Sequence, residues 1–167
     1  MYTLKRLSPA GIPSALQKAE RYRLLSQPWA AESICQDILE VEPENQQALV
    51  LLLLCITDQI GQELAARVTQ AREVLPRLKS EYQRTYYAGI ICERRAHAQL
   101  LHGGIGAESV AAGWFREAME WYDKAEAIRP GGNDESLLRW NTCARILMQD
   151  PRLVAEKEEV FQPILGE

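Results

Sequence analysis

Nine consecutive apolar residues, Ala48 to Ile56 (ALVLLLLCI), constrain this chain more than any other stretch. Asn45, Gln46 and Gln47 precede them; Thr57, Asp58 and Gln59 follow. A helix that is apolar on every side must be covered on every side, by protein or by lipid. A lipid span needs roughly 20 such residues, so the cover here is protein. Other helices of the chain must flank this one on several sides.

The totals allow such a scaffold. With 167 residues the chain suits one domain with a real core. Only 7% of it is aromatic, and alanine and leucine supply much of the apolar content, which favours helix over sheet. A formal charge of −4 lacks the basic footprint that nucleic-acid binding requires. Cys35, Cys55, Cys92 and Cys143 lie far apart with no CxxC pair, as expected of reduced, buried thiols. The opening residues contain no apolar run long enough for a secretory signal, so the expectation is a cytoplasmic protein without membrane insertion.

Residues 1–13, with two prolines and a glycine, read as an extended lead-in. Pro13 and Ser14 can open a first helix to about Ser26, with Leu16, Ala19, Tyr22 and Leu24 as its apolar contacts. Ala31, Ile34, Cys35 and Ile38 space a second helix, which Glu42-Pro43 stops. Asn45 is the expected N-cap of the apolar helix, and Gly61 its left-handed terminator. Leu64, Val68, Ala71, Leu75 and Leu78 stripe a fourth helix that Pro76 interrupts near its end. Ser80 and Gln83 form a capping-box pattern before a fifth helix to about Leu101. One side of it holds Tyr82, Tyr86, Gly89, Cys92, Ala96 and Leu100, and the opposite side Arg84, Arg94 and Arg95.

Glycines 103, 104 and 106 end that helix. A sixth is expected over about Ser109–Ile128 and a seventh from an Asp134 cap through Met148. Leu137, Trp140, Asn141, Ala144 and Leu147 share a face of the seventh. A short helix begins at Asp150-Pro151, so residues 149–167 read as a capping helix and tail. No alternating strand pattern occurs; the expectation is all helix.

The helices carry a repeat. Pro43, Pro76 and Pro130 close successive pairs, and the first two are 33 residues apart. Twelve residues before each proline stands Ala31, Leu64 or Ala118; eight before, Cys35, Val68 or Tyr122; five before, Ile38, Ala71 or Ala125. Phe115–Pro130, FREAMEWYDKAEAIRP, shows the pattern best. With its ~34-residue period and small, large, small order, the chain resembles the tetratricopeptide repeats. The resemblance covers about residues 14–148, as three units and a fourth first helix. It departs at Leu64, in the greasy first helix of the second unit, and at an apparent insertion near 102–113. It implies an all-α fold, a right-handed α-α superhelix of about seven or eight helices. It also implies a groove lined by the first helix of each pair, with a peptide or protein helix as ligand.

Catalytic patterns are weak. Cys92 and His97 are five residues apart, about 500° on a helix, so they point to different faces. The glycines near 103–106 lack the lysine and the preceding strand of a phosphate loop. No four-ligand zinc spacing is visible, and no cofactor is expected. Arg84, Tyr86, Arg94, Arg139, Asn141 and Arg145 are the candidate partner-binding residues. Asn141 and Arg145, one turn apart, have the residue types with which some tetratricopeptide domains grip a peptide carboxylate. Trp121 falls off the sixth helix's stripe, so it is expected to be exposed or under the tail. The expected function is a non-catalytic interaction module, an adaptor or assembly factor. The alternatives are a chaperone shielding an apolar client segment, or a subunit regulated through Cys92 or Cys143. The apolar helix should show one edge to the groove, as a greasy floor or under residues 154–165.

Overall fold

The computed structural model describes residues 1–61 and 63–154. Among these there are seven α-helices and no strands: α1 (Ile12–Leu24), α2 (Pro28–Val41), α3 (Gln46–Asp58), α4 (Leu64–Val74), α5 (Glu81–His102), α6 (Ala107–Ala127) and α7 (Glu135–Gln149). Short 3-10 turns precede α1 at Pro9–Gly11, extend α4 at Leu75–Arg77, and follow α7 at Pro151–Leu153.

Each helix packs on the next, and α3 additionally touches α1 and α5. The apolar helix is therefore flanked by α1, α2, α4 and α5, as its sequence demands. Ala48, Leu49, Leu52, Leu53, Cys55 and Ile56 are buried, whereas Val50, Leu51 and Leu54 are half-buried along one edge. Asn45 caps its start, accepting from the Ala48 backbone N–H at 2.9 Å. Ser80 does the same for α5, accepting from Gln83 N–H at 3.2 Å. Of the nine positions counted back from the three prolines, only Leu64, the residue that breaks the small-residue rule, is not fully buried.

Four expectations need correction. Gly61 is not left-handed; Gln59 ends α3 instead, its side-chain amide donating to the Cys55 carbonyl at 3.0 Å. Asp134 does not cap α7; it pairs with Arg129 while the Asn133 side-chain oxygen accepts from the Glu135 N–H at 3.0 Å. Leu24 is exposed rather than in contact. The supposed insertion near 102–113 is mostly helix, since α5 runs on to His102 and α6 starts at Ala107. Gly103, Gly104 and Gly106, all at positive φ, make the tight turn between them. The extra residues lengthen a helical hairpin instead of forming an irregular loop.

The α5–α6 pair is close because of one residue. A Cβ on Gly89 would stand 2.5 Å from Cε1 of Tyr122, so the Tyr122 ring lies directly on the α5 backbone. Tyr122 thus fills space within the pair as well as beside α7, where Cys143 belongs to the same buried cluster. On α7 the buried positions are Ser136 and Cys143, whereas the expected face of Leu137, Trp140, Asn141, Ala144 and Leu147 is only half-buried.

Candidate functional site

Two groups of residues stand out, and the first lies where α1, α3 and α5 adjoin. The first is a cleft of about 760 Å³. Ile12 and Leu16 of α1 and Val50 and Leu51 of α3 give it an apolar floor; Gln17, Gln47 and Gln83 line it from α1, α3 and α5 in turn. Gln46 also reaches it but is committed to the scaffold, its amide donating to the Glu44 carbonyl and accepting from Lys79 N–H, both at 2.9 Å. Glu20 and Glu42 put negative charge on its rim. The half-buried edge of the apolar helix is therefore part of this cleft. Whether residues 154–165 cover it concerns a segment that, beyond Val154, lies outside the described residues.

The second group is two sets of charges, one joining α1 and α5 to the end of α3, the other joining α5 to α6 and α7. Asp58, at the end of α3, accepts from Arg23 Nε of α1 at 2.7 Å and meets Arg94 of α5 at 3.5 Å. Next to Arg94 on α5, about 100° around the helix, Glu93 is only 3% exposed. Its carboxylate accepts from the Tyr122 hydroxyl at 2.6 Å and from Arg139 at 3.2 Å, with His97 Nε2 at 3.9 Å. Burial and the neighbouring carboxylate push the Tyr122 hydroxyl far up, which keeps it protonated and donating. Burial works against charge on Arg139, but Glu93, Tyr122 and Tyr86 together outweigh it and hold the guanidinium above its ordinary range. Burial lowers His97, with Glu93 opposing and Arg94 and Arg139 reinforcing the shift. A buried carboxylate with these partners is satisfied as a structural ion pair.

Comparison with known protein families, curated proteins and solved structures gives no match. The site's chemistry is therefore read from its own residues.

Of the six residues singled out from the sequence, Tyr86 and Arg139 lie together, and most of the six are engaged with other parts of the scaffold. Arg84 donates to the Leu78 and Lys79 carbonyls at 2.7 and 2.9 Å, capping the end of the α4 segment. Tyr86 is buried and stacks on Tyr82 with ring centres 5.8 Å apart. Arg94 belongs to the Asp58 ion pair, and Arg139 to Glu93. Asn141 is half-buried and Arg145 exposed, with no ion pair for Arg145 among the described residues. Arg139 and Asn141 differ by two positions, about 200° around α7, so they face opposite ways. Sequence reasoning passed over the three glutamines; their only signal was recurrence, one on each of α1, α3 and α5.

Among the described residues no three His, Cys, Asp or Glu side chains gather as a metal site. Cys92 and Cys143 are buried, and desolvation pushes each thiol up to about 12. A protonated, covered thiol is a poor nucleophile. No helix among the described residues is long and apolar enough to cross a membrane.

Proposed function

We propose that the chain is a tetratricopeptide-like superhelical interaction module, an adaptor or assembly factor, that binds a peptide or protein helix along its first-helix groove. The single observation that carries this reading is the 760 Å³ cleft with an apolar floor and Gln17, Gln47 and Gln83 around it. Each glutamine amide both donates and accepts, matching the N–H and C=O of a peptide backbone. Val50 and Leu51 offer an apolar anchor site between them. Sequential packing of the helices, with α3 touching α1 and α5, supports the repeat architecture.

Peptides displayed on phage and selected on the full chain test this. Enriched sequences are expected to lose at least tenfold in affinity on Val50→Asp and on Gln47→Ala/Gln83→Ala, with circular dichroism and a melting curve confirming that each variant is folded, since Val50 packs against the buried core. Unchanged affinity, or no enrichment at all, defeats the groove reading. The half-buried Val50 and Leu51 also favour the second reading, a chaperone for an apolar client. Such a chaperone would respond to Val50→Asp and not to the glutamine substitutions.

A further inference from the structure

A second cleft, of about 470 Å³, opens between the end of α4 and the middle of α6. Ile91 of α5, Leu75 and Trp121 are apolar residues of its lining, and its charged residues are Arg72, Arg84 and a single carboxylate, Glu117. Lys124 Nζ stands 4.6 Å from the Trp121 ring centre and adds to the positive side. The cleft is thus apolar inside and cationic at its edge.

The described chain stops close to it. Leu153 is buried against α6, its carbonyl accepting from Arg116 Nη2 at 3.4 Å. From Arg116 to Trp121 is five residues of one helix, about 7.5 Å along the axis and about 140° around it. Over a helix surface that is a path of roughly 15–20 Å, which five extended residues span at about 3.3–3.6 Å each. Residues 155–159 are Ala-Glu-Lys-Glu-Glu, and residues 160 and 161 are Val and Phe. The chain beyond Val154 is therefore long enough for its first apolar pair to reach the cleft, and the acidic run before that pair is opposite in charge to the cleft's edge.

We propose that the segment 155–167 of this same chain docks in the α4–α6 cleft, placing Val160 and Phe161 against Leu75, Ile91 and Trp121 and its glutamates opposite Arg72, Arg84 and Lys124. The charge match sets the position, and burial of the Phe161 ring against Trp121 supplies the affinity. Docking there leaves the first-helix groove open, so the segment and a groove ligand do not compete.

The test uses the full chain with the photo-crosslinking residue p-benzoylphenylalanine in place of Phe161, mapped by mass spectrometry after irradiation. Intramolecular crosslinks to residues 72–75 and 117–124 are expected. Crosslinks to residues 46–51 would place the segment in the first-helix cleft, crosslinked dimers would give the site to a second copy, and no crosslink would leave it undocked; each overturns the proposal. Arg72 is an exposed side chain, so Arg72→Glu leaves folding intact and is expected to cut the crosslink yield at least threefold. An undiminished yield in that variant overturns it as well.

Discussion

At the scale of single residues, the tightest constraint is the absence of a side chain at Gly89. Glycine inside a helix costs about 1 kcal/mol relative to alanine, so alanine would be preferred on propensity alone. The Tyr122 ring decides otherwise, because a Cβ at Gly89 meets it at 2.5 and 2.8 Å. Tyr122 is fully buried and tied to Glu93, so it cannot swing aside. Gly89→Ala is expected to lower stability by about 1–3 kcal/mol, read as a drop in urea midpoint, and Gly89→Ala/Tyr122→Leu to recover part of it. A gain in stability for the single variant would mean the ring yields. His97 gives a second residue-level expectation. Its folded-state pKa lies below the ordinary 6.5, through burial together with Arg94 and Arg139, against the pull of Glu93. The unfolded chain then takes up the proton first, so stability falls as pH drops below about 6.5. The fall ends once the folded-state imidazole also protonates. His97→Gln is expected to flatten the slope of unfolding free energy between pH 7 and 5, measured by urea titration at each pH. An unaltered slope would assign the effect to other groups.

At the scale of elements, most starts and stops were legible because they rest on local chemistry. Asn45 and Ser80 each satisfy an orphan N–H of the helix they open, at 2.9 and 3.2 Å. Asn45→Ala is expected to cost about 1 kcal/mol and to free Glu42, which accepts from the Asn45 amide at 2.9 Å. A melting temperature within experimental error of the parent would show the cap to be redundant. What stayed hidden depends on contacts distant in sequence. Counting a standard repeat length makes residues 102–113 an insertion, yet two paired helices can lengthen together and keep their packing, with the glycines left to turn the chain. The buried stripe of α7 was missed because it consists of Ser136 and Cys143, residues of little apolar weight, while the larger Leu137, Trp140 and Leu147 are half-buried. The candidate arginines are more engaged than the sequence shows, for a related reason. A sequence shows that Arg84, Arg94 and Arg139 are cations, but not that two backbone carbonyls, Asp58 and Glu93 already occupy them. The exposed apolar tips, Leu24, Leu25 and Trp29 at the α1–α2 turn and Leu101 and Ile105 at the α5–α6 turn, were equally unforeseen.

At the scale of the molecule, α3 explains the first half of the chain and α5 joins the halves. One buried cluster gathers side chains of α1 to α4, together with Ile91 and Ala98 of α5. A second gathers α6 and α7 around Tyr82, Tyr86, Ile90, Cys92 and Ala96 of the same helix, and a small third joins Ile12, Ile38 and Ala48. The half-buried Tyr87 packs against the two larger clusters. Helix α5 is therefore buried over a wide arc, and that is why its arginines find partners rather than solvent. Where helices contact mainly their neighbours, stability is close to a sum of local units and the interfaces between them. Ile91, 1% exposed, is the largest fully buried side chain that α5 contributes to the first cluster. Ile91→Ala removes a side chain worth about 2–5 kcal/mol from the junction while leaving the α5–α6 contact at Gly89 and Tyr122 in place. In the parent, amides of α3 and α6 are expected to exchange hydrogen with similar opening free energies. In the variant, α3 amides should exchange at least about 30-fold faster relative to α6, the factor that corresponds to 2 kcal/mol. A uniform acceleration of both helices would mean that the two clusters unfold as one cooperative unit, with α5 transmitting the loss through its remaining contacts.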